Sequence, residues 1–144
     1  MKLSMRMRYG LRAMMELAAS SDGEPVQLKV IARRQAISVK YLEQLVSVLK
    51  SSGFVRSIRG AKGGYLLAKK PDEIRLNEIF VVLEGDVITT DCARDAKVCD
   101  RSCDCVARGI WTEVQRAIDG ILGSITLQDM VDRLNSQSKV DYQI

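Results

Sequence analysis

Four cysteines lie between positions 92 and 105, spaced Cys92-x6-Cys99-x3-Cys103-x-Cys105. Thiolates are soft ligands, and this crowding suits an iron-sulfur cluster, a zinc ion or a redox disulfide switch, with chance crowding as the plainest alternative. Zinc ribbons usually present Cys-x2-Cys knuckles, and none is present here. The 144-residue chain contains no histidine, which removes Cys/His zinc sites and histidine-based catalysis alike. Around the cysteines, from Asp86 to Asp104, no helical or strand period persists, so this stretch is expected to be a loop that something must order. A flexible loop of thiolates can adjust to the bulky core of a cluster.

The elements flanking that loop have clearer patterns. After it, Val106, Ile110, Trp111, Val114, Ala117, Ile118, Ile121 and Leu122 recur at helical spacing, predicting an amphipathic helix of about four turns. Its apolar stripe exceeds what one partner helix in so small a chain can cover. Ile110, Trp111, Val114, Ile118 and Ile121 are therefore expected to pair with a second copy, an arrangement suited to a palindromic operator. Thr126 to Asp129 signals the cap of a final helix to about Leu134, followed by a polar tail. Before the loop, Leu76 to Leu83 predicts a short apolar helix closed by Gly85.

The stretch from Gln27 to Leu67 reads as a winged helix-turn-helix. Helices are predicted at about Leu28 to Gln35 and Val39 to Ser51, joined by Ala36-Ile37-Ser38 with Ser38 as N-cap. Leu42, Leu45, Val46 and Leu49 share one face of the second helix, leaving Lys40, Glu43, Gln44 and Ser47 off it. Phe54 to Ile58 alternates as a strand, and Arg59-Gly60-Ala61-Lys62-Gly63-Gly64 turns the chain into Tyr65-Leu66-Leu67. Two cations on a Gly-rich tip make a phosphate or minor-groove contact, because glycines let the backbone come close. An opening helix from about Met5 to Ser20 carries Leu11, Met14, Met15 and Ala18 in a stripe for burial, and Ser20 to Pro25 reads as a loop.

Charge divides along the chain. Residues 1–70 hold 14 Lys and Arg against 4 Asp and Glu, a balance of +10, while residues 71–144 hold 8 against 14, a balance of −6. The basic half contains the winged helix, and counterion release from phosphates supplies much of a DNA binder's affinity. Arg6, Arg8 and Arg12 interrupt the opening segment, and no stretch is apolar for the length of a membrane span. A cytoplasmic protein is expected, with double-stranded DNA as partner and neither a membrane nor a small-molecule substrate. There are no paired carboxylates in a recognisable frame, and Gly60 to Gly64 lacks the spacing of a phosphate loop, so an enzyme is not expected. A module docking another protein through the Trp111 helix is the rival class.

At this point the chain resembles the Rrf-two family of bacterial winged-helix regulators, the IscR, NsrR and CymR group. The matching residues are Met1-Lys2-Leu3-Ser4 with Arg8-Tyr9-Gly10, Ser38 with Tyr41-Leu42-Glu43-Gln44-Leu45, Arg59-Gly60 with Gly63-Gly64-Tyr65, Leu83-Glu84-Gly85, and Trp111 with Thr126-Leu127. The resemblance implies a homodimer crossing its long helices, with DNA-binding domains at either end and a gene-regulatory role. Cluster-bearing members are similar in having three cysteines in this loop, matching Cys92, Cys99 and Cys105, with Cys103 extra. IscR-like members complete the site with a histidine where this chain has Arg108, and NsrR-like members with an acidic residue where it has Arg8. Cys103 is then the available fourth ligand, with Asp104 a carboxylate alternative. CymR-like members lack the cysteines and respond to a partner protein, so the loop argues against that mode.

The sequence therefore predicts a mainly α fold with a small β-wing. Residues 1–85 form the winged helix-turn-helix domain, 86–104 the cysteine-bearing sensor loop, 105–136 the dimerisation and final helices, and 137–144 a polar tail. The expected function is a homodimeric transcription regulator whose operator affinity is controlled by an iron-sulfur cluster, 2Fe-2S in preference to 4Fe-4S. A thiol-redox or zinc-dependent regulator is the alternative. Ser38, Lys40, Tyr41 and Gln44 are expected to face DNA, with Arg59 and Lys62 reaching from the wing. Glu43 is expected to choose bases, since a carboxylate accepts from cytosine N4.

Overall fold

Ser4 opens the first helix by accepting a hydrogen bond from the Met7 amide at 3.1 Å, and α1 runs Met5–Ala19. In this computed structural model, which describes residues 2–20 and 23–141, Met7, Ala13, Met14, Leu17 and Ala18 form its buried face. The sequence of α1 has no β-branched residue and is rich in strong helix formers. Gly10 sits where α1 crosses α4 (Leu76–Glu84), and a Cβ there would meet Leu83 Cδ1 at 2.5 Å.

Next come α2 (Leu28–Gln35) and α3 (Val39–Ser51), with the bounds expected. Ala36 between them takes a left-handed conformation, φ 53°, which turns the chain between the two helices. Ser38 caps α3 by accepting from the Tyr41 amide at 3.2 Å. The stripe of Leu42, Leu45, Val46 and Leu49 is buried. Together with Met14, Ile31, Ile74, Ile79 and Leu127, most of this stripe forms the main core.

The wing is a two-stranded antiparallel sheet, β1 (Val55–Ile58) and β2 (Gly64–Leu67), with Val55 opposite Leu67 and Ile58 opposite Gly64. Phe54, expected in the strand, instead closes α3. Its amide donates to the Leu49 carbonyl at 3.0 Å, and its buried ring joins the core. One contact lay beyond the sequence pattern. Val26 pairs with Tyr65 through two backbone hydrogen bonds of 3.0 and 2.9 Å, pinning the wing to the segment before α2.

The stretch expected to be an unbroken loop contains a short helix, α5 (Asp91–Arg94), and a 3-10 turn at Ala96–Val98. Such short turns leave no period in a sequence. The long helix α6 spans Val106–Ser124, 19 residues or about five turns, rather than four. The last helix, α7, continues past Leu134 through Asp141, into the expected tail, since no Gly or Pro stops it. Although grouped in the sequence with the dimerisation helix, α7 packs on α1 and puts Leu127 and Val131 into the winged-helix core. Arg75 and Thr126 form a backbone bridge that fixes its start. Met1, Ser21 and Asp22 of the first loop, and residues 142–144 of the expected tail lie outside the described residues. Among the described residues no helix is long and apolar enough to cross a membrane.

Candidate nucleic-acid interface and sensor loop

The capped start of α3 leaves Ser38, Lys40, Glu43 and Gln44 exposed on one side. Ser38 Oγ accepts from the Tyr41 amide, which leaves its hydroxyl proton free to donate outward. Tyr41 is only half-buried, with its ring against Tyr9. Val39, which the sequence reading passed over, is exposed beside them. At the wing, Arg59 and Lys62 are exposed at the hairpin tip. Among the described residues no carboxylate pairs with Lys40, Arg59 or Lys62, so their charges are available to an anion. The tip can be this tight because a Cβ on Gly63 would overlap the Ile58 carbonyl oxygen.

Helix α6 leaves most of its apolar stripe exposed and buries a glutamine on the side that meets the rest of the chain. Ile110, Trp111, Val114 and Ile121 are exposed, at 54, 44, 38 and 60 %, while Ile118 is half-buried and Gln115 is only 4 % exposed. Gln115 is satisfied by the start of the cysteine-bearing segment: its Nε2 donates to the Val87 carbonyl at 2.6 Å, and its Oε1 accepts from the Thr89 amide at 2.9 Å. The Thr89 hydroxyl donates to the Trp111 carbonyl at 3.3 Å. Arg108 Nε donates to the Cys92 carbonyl at 2.8 Å. Arg108 and Gln115 lie seven residues apart, two turns of one helix face, and together they bind residues 87–92 to α6. Neither the role of Gln115 nor that of Thr89 was found from sequence, where a lone Gln in an apolar helix was the only signal.

The four cysteines divide into one anchored thiol and three free-standing ones. Cys92 is half-buried, with Thr90 Oγ1 3.5 Å from its sulfur, whereas Cys99, Cys103 and Cys105 are exposed. All four are free thiols. From Asp95 to Asp104 the hydrogen bonds made among the described residues are local: Asp95 N to Asp91 O, Lys97 N to Asp95 Oδ1, Val98 N to Asp95 O, Ser102 N to Cys99 O and Asp104 N to Arg101 O. Among the described residues no three Cys, Asp or Glu side chains converge as a metal site. By donor type the residues fit a thiolate-ligated iron-sulfur group, and the locally bonded segment would have to close to bring the sulfurs together around one.

A family model described as Rrf2, iron-dependent transcriptional regulator, matches residues 3–133. The chain belongs to the Rrf2 family. This Rrf2 chain is 40% identical over 131 residues to protein rrf2 of Nitratidesulfovibrio vulgaris, covering 91% of this chain and 87% of that one. In structure it is similar to CymR, the global cysteine regulator of B. subtilis, with a TM-score of 0.80 and 39% identity over 92% of this chain and 98% of that one. It is also similar to T. potens IscR, with a TM-score of 0.75 and 40% identity over 93% and 88% of the two chains. It is therefore a DNA-binding transcription regulator of this family.

Proposed function

We propose that this Rrf2 regulator is a cytoplasmic homodimer that binds a two-fold DNA operator with an affinity controlled by its cysteine loop. The observation that carries the reading is the division of α6 between two faces. Through Arg108, the Trp111 carbonyl and Gln115 it grips residues 87–92. Through Ile110, Trp111, Val114 and Ile121, with Ile118 beside them, it offers an apolar stripe to a second copy. A rearranged loop thus acts on the same helix that fixes the distance between two recognition helices. Ser38, Lys40, Tyr41, Glu43 and Gln44 address the major groove, and Arg59 and Lys62 reach the backbone or minor groove beside it.

Cys92, Cys99 and Cys105 hold the iron-sulfur cluster in this reading, with Cys103 as fourth thiolate and 2Fe-2S preferred to 4Fe-4S. The group, when bound, supplies a centre whose loss or oxidation reports on iron or oxidants. The chain does the rest. Arg108 fixes the Cys92 peptide to α6, so Cys92 is the stationary thiol, and the segment from Asp95 onward carries the others toward it. The test is anaerobic purification with a visible spectrum and iron and acid-labile sulfide counts, on wild type and Cys92→Ala. Colour with matched iron and sulfide that vanishes in the variant is expected.

The four free thiols also favour a second reading, a thiol switch. Two thiols oxidised by hydrogen peroxide give one disulfide, and the peroxide, taking their two protons and two electrons, is reduced to two waters. A colourless, metal-free protein whose thiol count falls by two on peroxide and recovers with reductant selects this alternative, and a colourless protein with stoichiometric zinc selects a zinc site.

A further inference from the structure

Val39 opens the recognition helix and is 42 % exposed, an apolar β-branched side chain flanked by the exposed polar residues Ser38 and Lys40. It stands apart from the stripe of Leu42, Leu45, Val46 and Leu49 that packs α3 on the core. One turn further along lies Glu43, also exposed, at the i+4 position that neighbours Val39 on the helix surface. The Ser38 cap holds this first turn in place. In a helix-turn-helix, the N-terminal residues of the second helix are the ones that meet base edges. A β-branched side chain there is stiff about χ1 and loses little freedom on contact. The major groove has one apolar feature for such a group to meet, the C5-methyl of thymine.

We propose that Val39 is a specificity-determining residue that packs on the C5-methyl group of one thymine in each half-site, beside the base pair addressed by Glu43. This rests on the DNA-binding reading above. Replacing thymine by uracil removes only that methyl and leaves pairing and every hydrogen-bonding edge unchanged, so it isolates the contact. Burial of one methyl-sized group predicts a loss of about fourfold per half-site, or about 15-fold when both half-sites are changed.

For the test, the full-length protein selects its preferred duplex from a random library, and binding of that duplex is titrated at several salt concentrations. Each thymine is then replaced by uracil in both half-sites, for wild type and Val39→Ala. Alanine at this exposed helical position keeps the fold, which circular dichroism checks. The expected result is one thymine position whose demethylation costs the wild type about 15-fold and Val39→Ala less than about twofold, with the salt slope the same in both proteins. Salt-dependent binding with a flat uracil scan, or a methyl effect undiminished in Val39→Ala, overturns the role of Val39 and leaves the DNA-binding reading standing. Absence of any enriched duplex or salt-dependent binding overturns both.

Discussion

The rings of Tyr9 on α1 and Tyr41 on α3 meet edge to face, with centroids 6.2 Å apart and planes at 90°, and the Arg12 guanidinium stands 5.5 Å over the Tyr9 ring. The first helix therefore bears directly on the recognition helix, at a residue expected to reach DNA. Tyr41 is half-buried as a result, and its ring is held at an angle set by α1. Tyr9→Ala is expected to cost about 2 kcal/mol in denaturant unfolding, from the lost aromatic pair and the packing beneath it. Tyr9→Phe keeps the stack and should cost less than about 0.5 kcal/mol. Equal losses in the two variants would show that the hydroxyl, not the stack, matters.

The wing depends on the absence of a side chain at Gly63. A Cβ there would overlap the Ile58 carbonyl oxygen, a backbone atom that can move only if the hairpin opens. Gly63→Ala is expected to cost about 2–3 kcal/mol and to speed amide exchange at Tyr65. Gly10→Ala presses on the end of the Leu83 side chain, which can rotate, and should cost about 1 kcal/mol. Unfolding midpoints that rank the two variants in the opposite order contradict this account.

Gln115→Leu fits the volume of the site but leaves the Val87 carbonyl and Thr89 amide without their partner. The expected loss is about 2–4 kcal/mol for two desolvated backbone groups. It should fall locally, on the sensor loop. Limited proteolysis is expected to cut between residues 86 and 105 in the variant well before the wild type, while the winged-helix core stays protected. Unchanged cleavage of that segment would remove Gln115 from its role as the anchor.

Asp129 is held below the ordinary carboxylate range, first by the hydrogen bond from the Thr126 amide at 2.8 Å and then by the Thr126 hydroxyl, also at 2.8 Å. A carboxyl whose folded pKa is depressed stabilises the fold above its unfolded pKa, and that contribution is lost as pH falls through the folded value. Asp129→Asn is therefore expected to be less stable than wild type at neutral pH, with the gap narrowing below about pH 4. Thermal unfolding at pH 7 and pH 3 measures this. A gap of the same size at both values would mean that packing, not the charged cap, fixes the start of α7.

Arg59 stands at the wing tip without an ion-pair partner among the described residues. If it neutralises one phosphate in each subunit of a dimer, Arg59→Ala lowers the slope of log affinity against log salt by about 2, since each contact contributes about 0.9. Titration of the selected duplex from low to moderate salt reads the slope directly. An unchanged slope and affinity would take the wing off the DNA.

The winged helix was legible in the sequence because its signals are local. Ser38 as a cap, the Leu42 to Leu49 stripe, the glycines of the wing and the Thr126 to Asp129 capping box each act over a few residues, and all appear in the structure. The apolar stripe of α6 was likewise visible as a period. The sequence assigned that stripe to a second copy but gave no sign of what the other side of the helix holds. The tertiary structure turned Gln115 inside, where its amide meets the Val87 and Thr89 backbone groups that would otherwise be unsatisfied. It also gave Cys92 an anchor that Cys99, Cys103 and Cys105 lack, through an arginine 16 residues away in sequence. Residue types and spacing thus determined the recognition helix, the wing and the thiol inventory. Long-range partners, which leave no period in the chain, decided how the sensor loop, the long helix and α7 attach to the rest.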